Sequence, residues 1–301
     1  MRSATLSMLA ASTLLACAPP AARSRAATLS VSQLLGRPRP EGAKRIAYGP
    51  GASQFGELWL PKSGRSHPVV VLVHGGCWQK DFNLDLMDYA ADDLRQRGLA
   101  VWNIEYRRLG EAGGGYPGTF LDVGAAVDQL AKLAPRYHLD PRHVVLVGHS
   151  SGGQLALWAA ARRGLPAASA VHAAHPLPVA GVVTLAGIDD LQTYRRVGPA
   201  ACGGPATIDA LIGAASRVKQ DPFADTSPAD LLPIGAPQLI ISGGLDLIVP
   251  PIFGADYAAK AAAAHDAAQA VTIPDAGHFE LIDPQAPAWQ IVQTAIARIV
   301  K

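Results

Sequence analysis

The sequence predicts an α/β fold built on a doubly wound, mostly parallel sheet. Continuous apolar runs of strand length lie at residues 69–73 and 144–147, and further strand-like segments at 179–187 and 237–242. Runs without polar alternation suit strands covered on both faces. Segments with helical spacing lie between them, and strands alternating with helices give a parallel sheet with helices on both sides. The 301 residues are 49% hydrophobic and 17% charged, an ordinary globular balance with enough apolar surface for one large core.

The elements follow in order. Residues 55–60 alternate and predict a half-exposed strand in an antiparallel edge hairpin with the region around Ile46. The run 69–73 is a buried strand, and 84–97 has helical spacing that ends at Gly98. A strand over LAVWNIEYR (99–107), a helix over 120–134 and a strand over 143–148 come next. A helix over 151–163 stops at Gly164, and VAGVVTLAG (179–187) is again a strand. Late in the chain come the strand PQLIISGG, an alanine-rich helix from about Ile252, the strand AVTIPD and a closing helix to Val300. Residues 188–233 hold no strand, too long a gap for a simple connection. With helical pieces around Ile208, this segment is expected to cap the sheet's C-terminal edge, where ligands bind in open α/β sheets.

The net charge of +2 leaves no electrostatic footprint for nucleic acid. The glycines at 113–115 and 203–204 lack the Lys-Ser/Thr that a phosphate-binding loop needs, and no cofactor is implied.

The stretch VVLVGHSSGGQLALWAA changes texture in the middle. A β-branched strand runs into Gly148-His149-Ser150-Ser151-Gly152 and a helix starts at once, the context of a nucleophile elbow with Ser150 at its tip. A serine needs an oriented base, and in such a fold the order is Ser, acid, His. Asp246, just after the strand 237–242, is the candidate acid. Asp221 and Asp225 precede that strand, and Asp256 falls inside a helix. His278, after the last strand, is the candidate base, while His265 belongs to the preceding helix. His172 and His175 precede a strand, at the opposite edge from Ser150, and no third metal ligand accompanies them. After the 69–73 strand, His74-Gly75-Gly76-Cys77-Trp78 offers backbone N–H groups for an oxyanion: Gly76 or Cys77 as one donor and Ser151 as the other. His74 is expected to support this loop by hydrogen bonding, and Trp78 to form a substrate wall at its rim.

These motifs, with EYRRLGE, YPGTFLDV, SGGLDLIVP and AGHFELIDP, resemble α/β-hydrolases of the carboxylesterase and feruloyl-esterase-like (BD-FAE-like) group from about residue 55 onward. The resemblance implies serine-dependent hydrolysis of a small-molecule ester without a cofactor. HGGCWQ and HFELI also resemble kynurenine formamidase, so an amide or formamide substrate is the alternative. A noncatalytic binding protein on the same fold is a second alternative, against which the complete Ser-Asp-His set argues.

Residues 1–27 are set apart from the single domain expected over 28–301. Arg2 followed by the apolar stretch 4–16 resembles an export signal too short to span a bilayer comfortably. Leu14-Leu15-Ala16-Cys17 resembles a bacterial lipobox, with Cys17 lipidated, a membrane tether to Ala27 and a periplasmic or secreted location; an ordinary cleaved signal is the alternative. Cys77 in the oxyanion loop and Cys202 in the cap segment meet the same sheet edge, so export would permit a disulfide between them, with two buried thiols as the alternative.

Overall fold

The computed structural model describes residues 28–64 and 66–300. The candidate export signal and Cys17 lie outside them. No helix among the described residues is long and apolar enough to cross a membrane.

Eight strands, numbered along the chain from Lys44–Ala47 (β1) through Phe55–Trp59 (β2), His67–Val73 (β3), Ala100–Ile104 (β4), Leu139–His149 (β5), Gly181–Leu185 (β6) and Gln238–Gly243 (β7) to Ala268–Ile273 (β8), form one sheet in the order β1-β2-β4-β3-β5-β6-β7-β8. β1 and β2 form the expected antiparallel hairpin, with Ile46 opposite Gly56, and β2 runs antiparallel to β4. Every other pair is parallel: β3 with β4 and β5, then β6, β7 and β8. Residues 69–73 and 144–147 are fully buried, the physical reason their sequences are apolar without alternation.

Helices pack on both sides. A single turn, α1 (Val31–Leu35), seats Leu34 in the core. α2 (Asp88–Gln96) packs on β4, and α3 (Gly118–Asp128) on α5 (Ser151–Ala161). α4 (Leu130–Tyr137) lies on β5, α5 on β5 and β6, α8 (Pro251–Ala263) on β7 and β8, and α9 (Pro287–Ile299) on β5 and β6. The segment between β6 and β7 holds α6 (Leu191–Val197), α7 (Pro205–Leu211) and short 3-10 turns, including Ala200–Cys202.

Several boundaries differ from the sequence reading: the helix expected over 84–97 opens as a 3-10 turn, Leu84–Met87, and two further differences have a tertiary cause. The helix expected over 120–134 is divided at Gln129. Asp128 there accepts both Arg162 guanidinium bonds (2.7 and 2.8 Å) and the Leu177 N–H (2.9 Å), tertiary contacts that anchor this point of the chain. β5 starts at Leu139, four residues early, because Leu139 and Asp140 pair with His67 and Pro68 across a register shift. Asp140 accepts the Arg142 N–H (3.0 Å) inside the bulge.

Candidate active site

The C-terminal ends of β3, β5, β7 and β8 deliver the candidate residues to one edge. β5 ends at His149 and α5 begins at Ser151, so Ser150 turns the whole corner, at φ 55° and ψ −124°. A non-glycine residue there is strained by about 1–3 kcal/mol and persists only when its surroundings hold it. They do: the Ser150 N–H donates to the Leu185 carbonyl (2.8 Å), and its carbonyl accepts from Gly153 (2.9 Å) and Ile188 (3.2 Å). A Cβ at Gly148 would lie 2.1 Å from the Gly152 carbonyl oxygen, and one at Gly152 would lie 2.2 Å from that of Val73. Contact with backbone, which cannot swing away, is why the positions flanking the serine are glycines.

The HGG loop crosses this corner. A Cβ on Gly75 would meet the Ser150 Cβ at 2.9 Å. Gly76, Cys77 and Trp78 follow with φ of 108°, 55° and 57°, a run of positive values that bends the loop sharply. The loop is tied by Gln79 N–H to Gly76 O (3.0 Å), Leu109 N–H to Trp78 O (2.7 Å) and Trp78 N–H to Ser151 Oγ (3.3 Å). The Gly76 and Cys77 N–H groups have no protein acceptor among the described residues. Ser151 opens α5, where first-turn N–H groups lack an intrahelical partner and the helix dipole favours negative charge.

Cys77 and Cys202 are joined, with S–S 2.02 Å, Cα–Cα 5.1 Å and a separation of 125 positions. The bond attaches the 3-10 turn Ala200–Cys202, between β6 and β7, to the HGG loop. Trp78, expected as a substrate wall, is instead fully buried. With a left-handed backbone its side chain turns inward, and Nε1 donates to Gln154 Oε1 (3.1 Å) while Gln154 Nε2 donates to the Thr226 carbonyl (2.8 Å). It braces the loop from beneath.

Behind the loop, His74 Nε2 lies 2.9 Å from Glu105 Oε1 and Nδ1 2.7 Å from the Gly75 carbonyl, with the ring stacked on Tyr106. Burial raises the Glu105 carboxyl, but the His74 ring and Arg108 outweigh it, so its pKa falls below the ordinary value.

On the far side, Asp246 follows β7 and His278 follows β8. His278 Nδ1 and Asp246 Oδ2 are 2.7 Å apart, and Asp246 Oδ1 accepts the Ile248 and Val249 N–H groups at 2.7 and 2.9 Å. Both carboxylate oxygens are therefore held. An imidazole tied through Nδ1–H to a carboxylate keeps Nε2 as its proton acceptor. Asp246 is 3% exposed and His278 7%, shielded enough from water for these bonds to orient the ring.

Sequence reasoning missed two supports. Gln154 carries Trp78, and His149, the residue before the serine, places Nε2 3.1 Å from the His278 backbone carbonyl. Only its position inside the G-x-S-x-G motif hinted at it. Of the histidines set aside earlier, His172 bonds the Leu165 carbonyl through Nδ1 (3.1 Å), and no group of three metal-ligating side chains exists among the described residues.

An eight-stranded, mostly parallel sheet with a serine elbow after β5 and the acid and histidine after β7 and β8 defines an α/β-hydrolase. The BD-FAE family model matches residues 57–260, and the chain belongs to that family. Among solved structures it is similar to esterase B from Lactobacillus rhamnosis (TM-score 0.72, 19% identity, 86% of each chain). It is also similar to a truncated carbohydrate esterase from gut microbiota (TM-score 0.70, 21% identity, covering 86% of this chain and 96% of that one). A bacterial heroin esterase aligns with TM-score 0.68 at 20% identity, over 86% of this chain and 84% of the other. A curated relative, the non-reducing polyketide synthase prhL of Penicillium brasilianum, is 34% identical over 122 residues; the match takes in 37% of this chain and 5% of that protein's length.

Proposed function

We propose that the chain is a serine hydrolase of small carboxylic esters. The observation that carries the reading is the Asp246–His278 pair, 2.7 Å apart, on the sheet edge where Ser150 stands at an elbow of positive φ. Ser150 Oγ attacks the acyl carbon as His278 Nε2 takes its proton. The carbonyl oxygen becomes an oxyanion that accepts from the N–H of Gly76 or Cys77 and from that of Ser151. His278 then gives its proton to the leaving alkoxide, and the alcohol departs. Water, deprotonated by the same nitrogen, attacks the acyl-enzyme and frees the acid and Ser150. Asp246 holds the imidazole tautomer and stabilises the imidazolium throughout.

The names of the structural neighbours, esterases in each case, support an ester over an amide. A panel of p-nitrophenyl esters run beside N-formylkynurenine tests the choice. Ester turnover that Ser150→Ala abolishes is the expected result; turnover of the formamide alone would replace the reading with an amidase.

Export completes the proposal, with Cys17 lipidated and residues 18–27 as a tether. Arg2, the apolar stretch 4–16 and a disulfide suited to an oxidising compartment support it. Intact mass of the native protein should give a terminus at or after Cys17; a retained Met1 overturns it.

A further inference from the structure

His149 has no role in the reaction as written, yet it is wedged against the base. It is 1% exposed, and its ring centroid lies 4.5 Å from that of His278 and 5.9 Å from that of Phe279. Its Nε2 faces the His278 carbonyl oxygen at 3.1 Å, an acceptor only, so Nε2 must carry the proton. That makes Nδ1 a bare lone pair, and Nδ1 is buried without any partner among the described residues. An orphaned buried acceptor destabilises the folded chain, a cost that a simple apolar filler would avoid.

We infer that His149 is the positioning residue for the catalytic histidine: its Nε2–H clamps the His278 main chain while its ring buttresses the imidazole. Asp246 fixes how the His278 ring rotates; His149 fixes where its backbone sits. Because His149 is bonded covalently to Ser150, the clamp references the base to the nucleophile's own strand across 129 positions of sequence. The strained corner at Ser150 and the loop carrying His278 then move together or not at all.

The chemistry explains the residue type. The donor must reach from a strand end to a neighbouring loop on a rigid arm, and it must stay uncharged beside a ring that becomes an imidazolium during each turnover. Lysine or arginine would set a permanent positive charge there and oppose protonation of the base. Burial, reinforced by His278, pushes the His149 pKa well below the ordinary imidazole value, in keeping with a neutral donor. Around this ring also lie the neutral Phe279 and the HGG loop, where Gly75 faces Nδ1 and His74 further lowers the pKa.

The inference rests on the triad reading, and the experiment separates the two. Wild type, His149→Phe and His149→Gln are titrated for active sites with a fluorophosphonate and assayed on p-nitrophenyl acetate. The phenylalanine variant keeps a ring and removes the donor, and its kcat per titrated site should fall on the order of 10- to 100-fold with KM within roughly twofold, the cost of a base misplaced by up to an ångström. The glutamine variant restores an N–H donor and should recover most of the loss. A residue that serves packing alone would lower thermal stability and leave kcat per active site unchanged, and that result overturns the inference. If the His149→Phe variant does not fold, nitrogen-15 NMR of wild type decides: protonated Nε2 with bare Nδ1 on His149 is expected, and the opposite tautomer excludes the clamp. Wild type that fails to react with the fluorophosphonate refutes the triad reading itself.

Discussion

Removing the Cys77–Cys202 bond should cost stability and catalysis together. The double variant Cys77→Ala, Cys202→Ala removes the link without leaving a free thiol. The bond spans 125 positions. In the chain-entropy model, closing a loop of that length stabilises the native state by about 4–5 kcal/mol. Losing the contacts of Cys202, which is 3% exposed, adds up to about 1 kcal/mol. For a chain of this size each kcal/mol lowers Tm by roughly 2 °C, so a fall of about 8–12 °C is expected. The bond also anchors a loop whose residues 76–78 all have positive φ, at a point one residue from the Trp78 N–H bond to Ser151. With the anchor gone the N–H groups should be less well aimed, and kcat should drop more than KM rises. Differential scanning fluorimetry under oxidising conditions and steady-state kinetics on p-nitrophenyl acetate read the two effects. Wild type incubated with a phosphine reductant should behave like the variant. A Tm within about 2 °C of wild type, with unchanged kcat, would refute the reasoning.

Three further outcomes follow from the same geometry. Gly152→Ala would press a methyl group onto the Val73 and His74 carbonyl oxygens (2.2 and 2.4 Å), so soluble yield should collapse, or Tm fall by several degrees. Burial holds the Asp189 carboxyl up at about 7, against an ordinary 3.8, so the folded chain keeps a proton that the unfolded chain releases. The resulting penalty is absent below about pH 4, grows up to pH 7 and is constant above; Asp189→Asn should therefore stabilise at pH 8, by at most about 4 kcal/mol in urea melts, and change little at pH 4. Trp78→Phe deletes the Nε1 bond to Gln154 and should cost about 1–2 kcal/mol while shifting acyl-chain preference little; a marked change in chain-length profile would return Trp78 to the substrate wall.

The parallel strands were legible because burial on both faces leaves no room for polar residues, as in 69–73 and 144–147. The elbow was legible because backbone contact at Gly148 and Gly152 admits only glycine. What sequence hid was tertiary. The break at Gln129 answers to Arg162 and Leu177, more than thirty positions away, and the start of β5 is masked by an Asp-Pro pair that reads as a turn. α1 did carry a local signal, the Ser30–Gln33 capping box, in a helix of one turn. Trp78 went to the wrong side because a positive φ reverses where a side chain points, and nothing in HGGCW announces φ at a tryptophan. His149 went unnoticed because its partner is a backbone carbonyl, which any sequence supplies.

The proposed reaction requires Ser150 to be the nucleophile. Wild type treated with a fluorophosphonate should gain the mass of one phosphonyl group, and peptide mapping should locate it on Ser150 within GHSSGG. Ser150→Ala should keep the wild-type circular dichroism spectrum and gain nothing, while Ser151→Ala should still be labelled. Labelling that persists in Ser150→Ala, or that maps to Ser151, would contradict the account.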